Sequence, residues 1–188
     1  MGAVGVVDEG YFRSNVLSVA TRRIMWLLIL LGINTITSRI IMGYENLLAS
    51  FVALSAFIPL LIDSGGNIGS QSSTVVIRSL ALKEIESRDT LWVVLREFFT
   101  GFILGTLMGV IAFFWSWWLV KSVVIAFIIG VSLVIISTLA TTTGTFLPFL
   151  FKALKIDPAL TSSPFITTVV DIVGIVVYLG VAAFILLR

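Results

Sequence analysis

Two carboxylates lie inside long apolar stretches of this sequence. Asp171 is the only charged residue of 159–187, and Asp63 is the only charged residue of 47–77. A charged side chain within a bilayer is costly, so it normally faces a bundle interior, a partner or a water-filled path. Asp171 is therefore predicted to bind an ion, relay a proton or hold a helix partner. A role in packing alone is the alternative.

Neutral oxygen donors accompany Asp63. The run DSGGNIGSQSST occupies 63–74, and a helix places Asn67 and Gln71 one turn apart on the same face. This density of amides and hydroxyls favours a polar path, with glycines that could loosen the helix and free carbonyls. A packing seam of small, hydrogen-bonding residues is the alternative. For the hydroxyl-rich run STLATTTGT at 137–145, pore lining and helix packing are equally favoured interpretations.

The available ligand types restrict the metal. The sequence has no Cys and no His, which disfavours zinc, copper and nickel sites because these metals prefer sulfur and imidazole. Mg²⁺ prefers oxygen, keeps several waters and often meets only one or two carboxylates. A sparse, acidic and hydroxyl-rich path suits Mg²⁺, and two copies of the chain would double its negative charge.

An enzymatic alternative starts from Asp63-Ser64-Gly65, the Asp-Ser/Thr-Gly tripeptide of aspartic proteases. Two carboxylates that share a proton can activate water. However, Asp171 is followed by Ile172 and Val173 instead of Ser/Thr-Gly, and short motifs often match by chance. The chain is not predicted to be an enzyme.

The composition identifies the class of protein. Of 188 residues, 59% are hydrophobic and only 12% are charged, which is typical of an integral membrane protein surrounded by lipid. The net charge of +2 is small, and no nucleic-acid partner is predicted. The start of the chain lacks the pattern of a signal peptide.

An all-α fold with five transmembrane helices is predicted, since a span needs about 20 mostly apolar residues. We expect a short cytoplasmic segment at 1–23 and one transmembrane domain at 24–188. Pro59, the Gly65-Gly66 pair, Gly144 and Pro148 are expected to kink or interrupt their helices, and the charged run 81–90 is expected to continue the second helix. The predicted spans are 24–42, 47–77, 91–120, 123–151 and 163–187.

The basic residues indicate an orientation. Of the 12 lysines and arginines, nine fall on the side of the N-terminus in a five-span path and three fall on the other. The positive-inside rule then places the N-terminus in the cytoplasm and the C-terminus outside. Glycines at 101, 105 and 109 form a small-residue face on the third span, predicted to contact a neighbouring helix closely.

Two long motifs, in this order, resemble the MgtE magnesium transporter family. The first is PLLIDSGGNIGSQSS at 59–73 followed by RSLA at 78–81. The second is LPF at 147–149 and DPAL at 157–160, followed by SPFITTVVDIVG at 163–174. The resemblance covers about 24–187. Asp63 stands where a small residue is common in the family, and Ser163 where Asn is frequent.

The resemblance implies a homodimer in the plasma membrane, crossed several times by each chain, with a Mg²⁺ path at the subunit interface. Asp171 matches the key pore carboxylate of the family. Glu97 is assigned to the cytoplasmic mouth. The candidate metal-path residues are Asp171, Asp63, Asn67, Gly66, Gln71 and Thr167.

Three functions stay open from the sequence. The first is a Mg²⁺ channel or carrier that also admits Mn²⁺ or Co²⁺. The second is export coupled to Na⁺ or to protons, and a Na⁺-coupled exchanger is favoured because the family resembles solute carrier family 41. The third is an accessory membrane subunit. Fuller MgtE proteins carry a cytoplasmic N domain and paired CBS domains, which sense Mg²⁺. Only about 23 residues precede the first span here, so no strong closure by internal Mg²⁺ is expected.

Overall fold

The computed structural model describes residues 15–156 and 163–187, and in these ranges every regular element is helical. Residues 1–14 of the cytoplasmic segment predicted at 1–23, the motif at 157–160 and Arg188 lie outside the described residues. A short 3₁₀ helix, Ser87–Asp89, precedes α4. The helices are α1 Val16–Gly43, α2 Glu45–Ser50, α3 Ala53–Ala81, α4 Thr90–Val120, α5 Val123–Ala153 and α6 Ser163–Leu186. The predicted all-α class is confirmed.

No interruption occurs at the predicted residues, and a kink there stays a prediction. α3 continues through Pro59 and both glycines, and α5 continues through Gly144 and Pro148. Membrane helices tolerate such residues when neighbouring helices re-satisfy the backbone. The second predicted span, 47–77, is interrupted instead at Phe51 and Val52, between α2 and α3. The amides of Leu54 and Ser55 bond the carbonyls of Phe51 and Val52 there, so the break keeps its hydrogen bonds.

The charged run after α3 does not continue that helix, contrary to prediction. α3 ends at Ala81, and Lys83 takes a left-handed conformation with φ 58°. The amide of Lys83 bonds the carbonyl of Leu80, and the amide of Glu84 bonds that of Ser79. These two bonds form the Schellman motif that ends many helices.

α5 is the central helix, and α4 packs against it in the opposite direction. An added Cβ on Gly109 would lie 2.7 Å from the carbonyl oxygen of Gly130, and one on Gly105 would lie 2.9 Å from that of Val134. A Cβ on Gly101 would overlap the hydroxyl of Thr141. The predicted close contact of the glycine face is therefore confirmed, with α5 as the neighbour.

α3 and α6 run antiparallel beside α5. Near the start of α3, the Tyr178 hydroxyl donates to the Leu54 carbonyl at 2.9 Å, and further along, the hydroxyls of Ser70 and Ser163 lie 2.9 Å apart. Phe165, near the start of α6, lies 6.2 Å from the ring of Trp26 on α1 and 5.7 Å from that of Phe151 on α5. α1 and α6 therefore begin at the same end of the bundle.

Four helices in the described part of the chain are long and apolar enough to cross a membrane: α1 from Arg23, α4 with the preceding 3₁₀ turn, α5 and α6. α3 is not among them. Its 29 residues extend about 44 Å at 1.5 Å per residue, which exceeds the roughly 30 Å of a hydrocarbon core. α3 is thus long enough to span, but its run of polar residues makes it less apolar than the other four.

Candidate functional site: an acidic groove between two helices

An open groove of about 650 Å³ runs between α3 and α6. It contains both carboxylates that were predicted to lie within spans, one from each helix. It also contains three of the other residues predicted for the metal path. The lining residues are Pro59, Leu60, Ile62, Asp63, Gly66, Asn67, Thr167 and Asp171.

Helical spacing places these side chains on facing surfaces. Asp63 and Asn67 are four residues apart on α3, and Thr167 and Asp171 are four residues apart on α6, so each pair shares a helix face. The close approach of the two helices occurs at Gly66. A Cβ there would lie 3.1 Å from Cγ2 of Thr167 and 3.6 Å from Oδ1 of Asp171.

Glycines on the adjacent face of α3 hold this helix in place. A Cβ on Gly69 would lie 3.0 Å from Cγ2 of Val170 on α6 and 3.2 Å from the Ala140 carbonyl oxygen on α5. A Cβ on Gly144 of α5 would overlap the carbonyl oxygen of Gly69. Gly69 therefore lets α3 pack against both α5 and α6, and this packing fixes the width of the groove.

The carboxylates differ in exposure. Asp63 and Asn67 are exposed, whereas Asp171 is half-buried. The Thr167 hydroxyl donates to the Pro164 carbonyl at 3.0 Å, which leaves its oxygen lone pairs available. The groove therefore combines two acids with amide and hydroxyl oxygens. These are the ligand types that a hard cation prefers.

Gln71 lies in a second groove further along α3, also of about 650 Å³, with Asn67, Ser70, Thr74 and Val75. Asn67 lines both grooves, so polar side chains continue along the exposed face of α3 from Asp63 to Thr74. Ser70 and Ser163 connect the two helices beside the second groove. This contact between the two hydroxyls was not predicted, although both serines lie in the motifs that resemble the MgtE family.

Glu97 is not brought to the groove. It lies half-buried on α4, and the groove is lined by α3 and α6 only. Its assignment to a cytoplasmic mouth remains a prediction. Among the described residues, no three acidic side chains come together as a ready metal-binding group. One chain thus offers a pair of carboxylates, which suits a cation that keeps much of its water.

Three hydroxyls of the run on α5 bond within their own helix. The hydroxyls of Thr138, Thr141 and Thr142 donate to carbonyls of their own helix at 2.7–3.0 Å. Thr141 also contacts the glycine face of α4. Such back-bonding satisfies a hydroxyl without any partner ion, so the packing interpretation holds for these three residues.

The fold and the groove define an integral, multi-pass membrane protein of the helical class with an acidic, oxygen-lined cleft. The family profile of MgtE, described as a divalent cation transporter, matches residues 58–181. The chain belongs to the MgtE family.

Two curated relatives are named magnesium transporter MgtE. The protein of Thermus thermophilus is 37% identical over 186 residues, which cover 99% of this chain and 41% of the relative. The protein of Bacillus subtilis is 35% identical over 167 residues, which cover 87% of this chain and 36% of the relative. The chain spans about two-fifths of the length of these relatives.

Proposed function

We propose that this chain carries Mg²⁺ across the plasma membrane along the groove between α3 and α6. The observation that carries the proposal is the meeting of Asp63 and Asp171, from two helices, in one open groove of an MgtE-family membrane protein. Intramembrane carboxylates mark ion pathways because their burial is otherwise unfavourable. Relatives named magnesium transporters support Mg²⁺ as the ion.

The chemistry of the groove favours a partly hydrated dication. Two carboxylates neutralise the charge of one Mg²⁺, and the open shape leaves room for its waters. Asn67 and Thr167 supply neutral oxygens that can bond those waters. Mn²⁺ and Co²⁺ accept the same oxygen ligands, so they are expected to enter as well, and Na⁺ is expected only if transport is coupled to it.

The working unit in this proposal is a homodimer. Asp63, Asn67, Gln71, Thr74 and Arg78 are all exposed on α3, and such a polar stripe is costly to place against lipid. A second copy related by a two-fold axis would place its own polar stripe against this one and shield both from lipid. It would also place four carboxylates around one path.

The proposed topology has five spans: α1, α3, α4, α5 and α6, with α2 as a short connection. An odd number of spans agrees with α1 and α6 beginning at the same end of the bundle. The excess of basic residues at that end places it in the cytoplasm. Residues 24–188 then form the transmembrane domain, and 1–23 form a cytoplasmic segment.

A flux assay in liposomes tests the function. Purified protein is reconstituted around a Mg²⁺-sensitive dye, and Mg²⁺ entry is followed with and without a Na⁺ gradient. Uptake down a Mg²⁺ gradient alone supports the proposal. Strict dependence on Na⁺ would instead show an exchanger, and the absence of flux from folded protein would favour an accessory subunit.

A further inference from the structure

A third groove, chemically different from the two grooves on α3, shares no lining residue with them. It has a volume of about 250 Å³, sits between α4 and α5, and is walled by apolar side chains. The hydroxyl of Thr106, at its edge, donates to the Phe102 carbonyl at 2.7 Å. The principal walls are Val110, Phe113, Phe114, Phe127, Val131 and Val134.

This groove lies at the depth of one leaflet. Phe127 and Val134 follow the start of α5 at Val123 by four and eleven residues, which is about 6 and 17 Å along the helix. Half of a hydrocarbon core is about 15 Å. With Val123 taken as the point where α5 enters the hydrocarbon core, the groove falls within one leaflet, on the side of the α4–α5 connection.

A cation, Lys121, lies in the connection between α4 and α5, the two helices that line the groove. Lys121 directly follows α4 as its C-cap residue, in a left-handed conformation with φ 57°, and it is exposed. Its Nζ lies 5.9 Å from the centre of the Trp118 ring. Tryptophan and lysine at this depth are typical of the membrane–water interface, where lipid phosphates lie.

We propose that this site binds one phospholipid, with an acyl chain in the α4–α5 groove and its phosphate at Lys121. The apolar walls match the chain, and the positive charge matches the phosphate. The inference requires only that the protein spans the membrane; it does not depend on Mg²⁺ transport.

A second copy of the chain fits this surface less well than a lipid. The glycine face of α4 is already used, because a Cβ on Gly109 would lie 2.7 Å from the Gly130 carbonyl oxygen. No close backbone approach by another helix remains available there. The exposed polar stripe for which a protein partner is proposed lies on α3, not on α4.

Native mass spectrometry of the delipidated full chain, titrated with phosphatidylglycerol, tests the proposal. One tightly held lipid per chain is expected. Val110→Trp fills the groove and should weaken binding at least tenfold, with Val131→Phe as a second filling variant. Lys121→Gln should weaken binding about fivefold, the effect of one lysine near an anionic surface. Diacylglycerol with the same chains should bind as weakly as phosphatidylglycerol binds to Lys121→Gln.

Matched controls exist for both changes. Ile103→Trp introduces the same side chain at an exposed position of α4 outside the groove. Lys155→Gln removes an exposed lysine that also has a left-handed backbone, φ 58°. Both should bind lipid as wild type does. Unchanged binding in both filling variants, an equal loss in the controls, or loss of a dimer instead of a lipid would each overturn the proposal.

Discussion

Gly66 of α3 faces Asp171 of α6 so closely that a methyl group added at Gly66 would lie 3.6 Å from the carboxylate oxygen Oδ1. The same methyl carbon would lie 3.1 Å from Cγ2 of Thr167. The missing side chain at 66 therefore leaves space beside the one charged group of α6. This relationship connects a helix contact to the width of the proposed ion path.

Gly66→Ala should narrow the groove and slow transport. Its Cβ displaces Thr167 by a few tenths of an ångström, and such overpacking costs about 1–3 kcal/mol. We expect a several-fold lower Mg²⁺ flux in liposomes and a modest fall in the thermal unfolding temperature. Gly32→Ala is the control, since nothing lies within 4 Å of a Cβ at that position of α1. Equal flux in the two variants would show that Gly66 does not set the width of the path.

Gly144→Ala should damage folding more than transport chemistry. Its Cβ would overlap the carbonyl oxygen of Gly69, and backbone yields less easily than a side chain. We expect a loss of about 3 kcal/mol in the free energy of unfolding, at the upper end for overpacked sites. Gly180→Ala, with open space around its Cβ, should be neutral. Chemical denaturation in detergent measures both, and equal stability would contradict the packing of α3 on α5.

Single cysteines test the orientation, since the natural chain has none. Glu84→Cys lies in the connection between α3 and α4, and Lys121→Cys lies between α4 and α5. In intact cells, a membrane-impermeant maleimide should label Lys121→Cys and should leave Glu84→Cys unlabelled until the membrane is opened. The reverse pattern would invert the topology. Labelling of both sites would contradict the span count.

Cross-linking tests the homodimer. Thr74→Cys places a thiol on the exposed polar stripe of α3, whereas Ile103→Cys places one on the exposed apolar face of α4. With a short bifunctional reagent, Thr74→Cys should give a band of twice the monomer mass and Ile103→Cys should not. A transport-competent protein that is monomeric in native mass spectra would refute the dimeric path.

Much of the fold could be predicted because hydropathy and spacing record the membrane environment. α4, α5 and α6 begin and end within two residues of the predicted limits. The break at Phe51 and Val52 could not be foreseen, because it depends on local hydrogen bonds among ordinary residues, while Pro59 is accommodated by the bundle. The end of α3 at Ala81 likewise depends on a left-handed lysine, Lys83, at a position where glycine is the usual signal.

The candidate site, like the fold, could be predicted from the sequence only in part. Asp63, Asn67 and Asp171 could be selected from the sequence because polar residues are rare in apolar helices, whereas Gly66 and Thr167 were selected within the motifs that resemble MgtE. Their meeting in one groove depends on the register of α3 against α6, which Gly66 and Gly69 set by packing. Glu97 was selected because it lies near a helix end. Position along the sequence does not show which helices line the groove, and Glu97 is on α4, which does not.

Mg²⁺ flux through Asp171→Asn most directly tests the central claim. Asparagine keeps the shape of the side chain but removes its charge. Two unit charges about 4 Å apart interact by about 4 kcal/mol at an effective dielectric of about 20, which is roughly three powers of ten in occupancy. Glu45→Gln, an exposed carboxylate at the start of α2, is the control. We predict that flux through Asp171→Asn falls to the level of empty liposomes while its folding, its dimer band and the flux of Glu45→Gln persist. Wild-type flux through well-folded Asp171→Asn would contradict the account.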